Sequence, residues 1–203
     1  LAQVPCVSAI DQTLSYVSFQ TGSQDLTAPA SLLGSSAGYF SRLENTHGSI
    51  SGGRKVSPEV FTFDFYRAAN TLASGFGIEV HRYNKEFRFE DNSEVGIYAV
   101  GVLYGFNFYY RGDIWFPFLG FGSGNYSAKV QETLYATNTT TTSTIFGQVD
   151  MPLYYKIGFR IPFNSWGIIF TQQFISADML VASNNNKVSL GGTATLFGVY
   201  YGF

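Results

Sequence analysis

The sequence predicts an all-β chain, an eight-stranded antiparallel transmembrane β-barrel with short turns at one end and longer loops at the other. Three observations predict it. Apolar residues are dispersed by alternation, the period of a strand whose two faces meet different surroundings. Turn-forming residues divide residues 36–203 into eight segments whose connections alternate between short and long. Composition completes the case: only 13% of residues are charged, against roughly 25% in soluble domains, while 18% are aromatic, with 20 Phe and 14 Tyr.

The first segment begins at residue 36, places Arg42 and Glu44 on its inward face, and ends at a polar connection over 47–55 (HGSISGGRK). In the second, Phe61, Phe63 and Phe65 oppose Thr62, Asp64 and Tyr66, and a short turn follows at 67–73 (RAANTLA). In the third, Phe76, Ile78 and Val80 oppose Gly77, Glu79 and His81, before a long connection at 84–94. The fourth, 95–110, puts Tyr98, Val100, Val102, Tyr104, Phe106 and Phe108 against Ala99, Gly101, Gly105 and Asn107, and YRGD at 110–113 turns the chain. The fifth, 116–126 (FPFLGFGSGNY), starts apolar on both faces and leads into a long polar loop at 130–143. From Thr144 the sixth sets Ile145, Val149, Met151, Leu153, Tyr155, Ile157 and Phe159 against Gln148, Asp150, Tyr154, Lys156 and Arg160, with a turn at 162–165 (PFNS). The seventh turns Trp166, Ile168, Phe170 and Phe174 outward and meets a long loop at 179–187. The eighth, 190–203, ends with Thr193, Thr195, Phe197, Val199, Tyr201 and Phe203 on one face and Gly192, Ala194, Leu196, Gly198, Tyr200 and Gly202 on the other.

Closure answers the physical problem such strands meet in lipid, where each unpaired backbone group costs several kcal/mol and an open sheet edge carries a row of them. A soluble eight-stranded barrel would invert the faces, apolar inward. Lipid outside is favoured because the apolar face carries the larger side chains, while the other is rich in Gly and Ala, which fit a narrow lumen. No run of 18 apolar residues is present, so a helical membrane protein is excluded. A net charge of −2 speaks against a nucleic acid partner. The single cysteine, Cys6, cannot form an internal disulfide; an inert thiol, a mixed disulfide and lipid attachment stay open. The absence of a signal peptide is expected of a mature form.

Gly198, Tyr201 and Phe203 stand where the assembly signal of bacterial outer-membrane barrels has a Gly, an aromatic and a terminal aromatic; Phe197 departs from it, since that signal usually has a polar residue there. Residues 117–124 (PFLGFGSG) resemble a mid-barrel strand of the small OmpA-, OmpX- and OmpW-like proteins. The resemblance covers residues 36–203. It implies the outer membrane, with both termini periplasmic, and as partners outer-membrane lipid and lipopolysaccharide and the outer-membrane assembly machinery. It is silent on activity, because these folds host anchors, adhesins, pores and enzymes.

Residues 1–35 lie outside the pattern and are expected to form a periplasmic arm and linker. Within them 13–21 (TLSYVSFQT) has strand composition, which leaves two readings open, an arm without function, disordered or folded back under the barrel, and strand addition to a periplasmic or membrane protein partner. The phase of the eight segments sends Arg42, Glu44, Asp64, Glu79, Asp150, Lys156 and Arg160 into the lumen, where a mutually neutralising ion-pair network or a narrow polar path are the two readings. His47-Gly48-Ser49 is similar to the His and Ser of lipid A deacylases of the same architecture, but the further residues around that pair are missing. No catalytic set, metal-ligand cluster or cofactor motif is identified. The expected function is a non-enzymatic structural or accessory envelope component, with a lipid-modifying enzyme and a low-conductance channel as alternatives.

Overall fold

The computed structural model describes residues 12–26, 38–69, 71–112, 114–136, 139–181 and 186–203. In chain order the elements are β1 (Gln12–Asp25), α1 (Gly38–His47), β2 (Lys55–Val56), β3 (Glu59–Ala69), β4 (Leu72–Arg88), β5 (Glu94–Tyr110), β6 (Phe116–Ala136), β7 (Thr139–Phe163), β8 (Trp166–Ser176), β9 (Asp178–Val181), β10 (Asn186–Ser189) and β11 (Gly192–Gly202). Eight long antiparallel strands close a barrel in the order β1, β3, β4, β5, β6, β7, β8, β11, and β11 pairs back onto β1. Closure is thereby complete, and no barrel strand is left with both edges open.

The first strand is not where the sequence reading put it. β1 is drawn from the residues assigned to a periplasmic arm, and it pairs on both sides, Phe19 with Phe61 of β3 and with Val199 of β11. The physical reason is its alternation: Val17 and Phe19 are exposed outside while Ser18, Gln20 and Gln24 are buried inside, the pattern every wall strand needs. The segment expected to be the first strand is instead helix α1. Tyr39, Phe40 and Leu43, all buried, follow the helical spacing i, i+1, i+4. Gly48 ends the helix with φ of 84°, its N–H donating to the carbonyl of Glu44 at 3.0 Å. One false strand replaced one overlooked strand, so the total of eight survives, and β1 begins at the end where β11 finishes.

Short connections follow β3, β5 and β7 as expected, although the ladders run on into the expected turns, to Ala69–Leu72 and Phe163–Trp166. These connections lie at the end that also carries the start of β1 and the end of β11. At the other end the connections differ from the expected loops. The segment 130–143 is mostly extended, because its Thr run is β-branched and favours a pleated strand over a mobile loop. β6 and β7 therefore project well past β8, paired as far as Ala136 with Thr139. The loop at 179–187 contributes a small hairpin, β9 with β10, whose Met179 and Val188 are fully buried.

β4, β5, β6 and β7 together form a projecting sheet with unequal edges. On the β4 side, Ile50 bridges Phe89 and the N–H of Ser51 donates to the carbonyl of Arg88 at 2.9 Å. On the β7 side the β8 ladder stops at Leu153–Ser176, and among the described residues no strand pairs with that edge of residues 139–152.

β7 changes phase midway. The ladder with β6 jumps from Ser123–Leu153 to Asn125–Asp150, and Met151 takes a positive φ of 55°. Pro152 supplies no N–H for a ladder and suits such a bulge. Val149, expected outside, is consequently buried. The parity that sends Lys156 and Arg160 inward is not continuous across this shift, and the side chain of Asp150, expected inward, lies outside the described residues.

The interior is layered. Near the projecting end an apolar layer joins Phe87, Ile97, Leu103, Tyr126 and Val130 of the wall to Tyr39, Phe40 and Leu43 of α1 and to Met179 and Val188 of the hairpin. The helix and hairpin thus stopper this mouth. The Tyr126 ring lies directly on Gly101, where an added Cβ would come within 2.4 Å of a ring carbon. Buried polar residues follow below, and the short-turn end is filled by Tyr66, Tyr109, Phe118, Ile169 and Tyr200.

Candidate functional site

Four of the predicted lumen charges, Asp64, Glu79, Lys156 and Arg160, are brought together and almost wholly buried. Strand phase explains this, since each sits on the inward parity of β3, β4 or β7. Arg160 donates to the Asp64 carboxylate at 2.6 Å. Asn107 of β5 donates to the other Asp64 oxygen at 2.9 Å, and the Tyr66 hydroxyl donates at 2.9 Å. Glu79 is the second hub: Lys156 forms its ion pair, Gln173 of β8 donates at 3.0 Å, and His81 Nε2 lies 3.1 Å away. The two acids therefore meet two bases, and Asn107, Tyr66 and Gln173 donate to further carboxylate positions, which is what makes a buried ionic cluster tolerable in low dielectric.

Arg42 and Glu44 do not join that network. Both lie on α1 at the projecting end, where Arg42 is exposed and Glu44 pairs with Arg54. Helical periodicity, not strand phase, decides their direction.

Sequence reasoning missed the aromatic enclosure of Arg160. The rings of Tyr16, Tyr109, Tyr200, Tyr66 and Phe118 surround its guanidinium, with centroids 4.7, 4.8, 5.2, 5.3 and 5.7 Å from Cζ. A desolvated cation gains about 2 kcal/mol or more from such faces. The inward parity of Tyr66 and Tyr200 was legible, but Tyr16 lay in the segment read as an arm.

His47 sits at the opposite end as the last residue of α1. Its Nδ1 lies 2.7 Å from Asp91 Oδ2 and 3.1 Å from Ser93 Oγ, and Ser93 Oγ accepts the backbone N–H of Tyr135 at 3.0 Å. The partner serine is Ser93 rather than Ser49, which is exposed. In nucleophilic catalysis the acid binds one imidazole nitrogen and the serine the other. Here both converge on Nδ1, so no ring nitrogen is set to take a proton from Ser93 while Asp91 holds the other. The cluster ties α1, the β4–β5 loop and β6 together. Burial acts to raise the Asp91 carboxyl, but hydrogen bonds from His47 and from the backbone and hydroxyl of Ser93 outweigh it and hold the group below its ordinary range. Among the described residues no three metal-ligating side chains cluster.

The barrel's outer face carries the bulky residues. Phe61, Phe65, Phe76, Ile78, Phe106, Phe121, Ile157 and Val199 are exposed along its middle, and Trp115, Trp166, Tyr110, Tyr201 and Phe203 ring the short-turn end. Of the terminal signal residues, Tyr201 and Phe203 stack outside with centroids 6.3 Å apart, and Phe203 exchanges backbone hydrogen bonds with Ser15 at 3.0 and 3.2 Å. Gly198 stands in β11 opposite Gln20 of β1.

No protein-family model matches the chain, and no curated protein does. Solved structures do. Ail, the attachment invasion locus protein of Yersinia pestis, superposes with a TM-score of 0.50 at 12% identity, covering 96% of this chain and 100% of that one. OprG, an outer membrane protein of Pseudomonas aeruginosa, gives 0.48 at 14% identity over 96% and 97% of the two chains. Neisserial surface protein A gives 0.45 at 11% identity over 94% and 96%. With the closed ladder, the filled lumen and the outward rings, the chain has the fold of the small eight-stranded β-barrels of bacterial outer membranes.

Proposed function

We propose that this barrel is a non-enzymatic structural or accessory component of the outer membrane, with both termini periplasmic, that offers its projecting sheet to a protein partner. The single observation that carries the reading is the filled lumen: aromatic at the short-turn end, ionic in the middle, apolar and stoppered by α1 at the other. Such an interior, among the described residues, supports a structural part over a solute path, in keeping with the narrow bore of eight strands. The His47 arrangement likewise supports a clamp and not a nucleophile.

Strand addition by residues 13–21 is dropped, since both edges of β1 are paired within the barrel. The edge of β7 over 139–144, with which no described strand pairs, replaces it. Its Thr-rich stretch over 139–144 is uncharged and presents backbone groups to an extended partner segment. The partner would add there in continuation of the β7–β8 ladder.

Planar-bilayer recording of the purified chain is expected to show no single-channel steps, and mass spectrometry of lipid A from cells with and without it no new species. Steps or a modified lipid would return the channel or the enzyme. Native gels of its own membranes are expected to show a larger complex that Thr140→Lys with Thr142→Lys dissociates. An unchanged complex in that variant would reject the β7 edge.

A further inference from the structure

The outward face of the projecting sheet carries two kinds of cation. Arg88 is paired, its Nε 2.9 Å from the Glu94 carboxylate. Arg82 and Lys129 are exposed and, among the described residues, no carboxylate lies within ion-pair distance of either. Each rests instead on a ring: Arg82 Cζ is 5.9 Å from the centroid of Tyr98, and Lys129 Nζ is 5.9 Å from that of Phe146.

Register makes these four residues one belt. Lys129 stands directly opposite Tyr98 on β5 and Phe146 on β7, and Arg82 lies two residues from Asn84, the β4 partner of Tyr98. Tyr98 is thus flanked by a cation on each side. The carboxylates facing the belt are Glu59, in register with Arg82 across β3, and Glu86, farther along the same face of β4; neither closes a pair. On the other side of the belt the wall turns apolar at once, with Val80 and Val102 exposed.

We infer that Arg82 and Lys129, with Tyr98 between them, hold a phosphate group of an outer-leaflet lipid whose acyl chains lie along Val80, Val102 and the rings below. Charge complementarity selects the phosphate. The position of the cations on the barrel's outside, continuous with the apolar band and not within the mouth, selects a lipid over a soluble anion. An aromatic ring between two unpaired cations at the boundary of that band is the arrangement that interfacial headgroups favour. Charge-assisted bonds from guanidinium and ammonium to phosphate oxygens supply the affinity.

The inference rests on the membrane orientation proposed above, but its test does not. The full chain in detergent is titrated with diphosphorylated lipid A and with the same lipid stripped of its phosphates, and bound lipid is read by native mass spectrometry. The expected result is that R82Q/K129Q lowers retention of the phosphorylated lipid about tenfold, that K129Q alone lowers it less, and that R88Q leaves it unchanged. The stripped lipid is expected to bind wild type and double variant alike and weakly. Equal retention of the phosphorylated lipid by wild type and double variant, equal binding of both lipids by wild type, or an equal loss in R88Q would overturn the inference. A reversed orientation would instead appear in surface labelling and leave these results unaltered.

Discussion

Arg160 of β7 and Asp64 of β3 are joined at 2.6 Å although their strands stand four places apart in the closed order of eight, on opposite walls of the barrel. The lumen is therefore crossed by side chains, and the pair together with Glu79 and Lys156 staples the walls through the middle. The burial of these charges follows from strand parity; their tolerance follows from mutual pairing.

Removing one partner is expected to cost far more than removing both. Lys156→Met leaves Glu79 with Gln173 and His81 as its partners, and a loss of about 3–5 kcal/mol is expected in denaturant unfolding of the detergent-folded barrel. Glu79→Gln combined with Lys156→Met is expected to recover most of it. Additive losses in the double variant would show that the two side chains do not act as a pair.

Close packing gives a second expectation. Gly101→Ala would set a methyl against the Tyr126 ring, and overpacking of this kind costs about 1–3 kcal/mol. Shortening the ring with Tyr126→Leu in the same chain is expected to restore much of the loss. A silent Gly101→Ala would mean that the apolar layer is looser than described.

Acid is expected to release the α1 clamp. The Asp91 carboxyl titrates lower when folded than free, so its contribution to stability is complete above the ordinary aspartate value of about 3.9 and is lost as pH falls through the lower folded value. A spin label at Asn45→Cys, in a Cys6→Ser chain, is expected to gain mobility in that acid window. Asp91→Asn is expected to show the mobile signal already at pH 7. A label indifferent to both changes would remove His47–Asp91 as the tie between helix and loop.

Much of the wall was legible in the sequence because a strand between two unlike media must alternate, and Phe61 to Tyr66, Phe76 to Val80 and Tyr98 to Phe108 do so without interruption. The failures share one cause: alternation was extended where another period applied. Tyr39, Phe40 and Leu43 carry a helical spacing, and Pro152 interrupts β7 so that Val149 and Lys156 do not belong to one phase. The ion pairs could be anticipated from inward parity, whereas the ring around Arg160 could not, because it draws Tyr16 from a strand whose short alternating run was outweighed by the Gly- and Ser-rich residues after it.

Membrane orientation is open to labelling on intact cells. Cysteine placed at Gly52, on the long connection after α1, is expected to react with an impermeant maleimide, and cysteine at Thr71, in the short β3–β4 turn, only after lysis. The reverse pattern would turn the barrel over.

The chain's two tryptophans, Trp115 and Trp166, are both exposed near the short-turn end, and they give the most direct measurement of which face meets hydrocarbon. In bilayers of lipids brominated near the headgroup, their fluorescence is expected to fall strongly, and more than with bromines near the chain ends, while aqueous iodide has little effect. Strong quenching by iodide with indifference to brominated lipid would place the bulky face in water and contradict a barrel that turns its rings to the membrane.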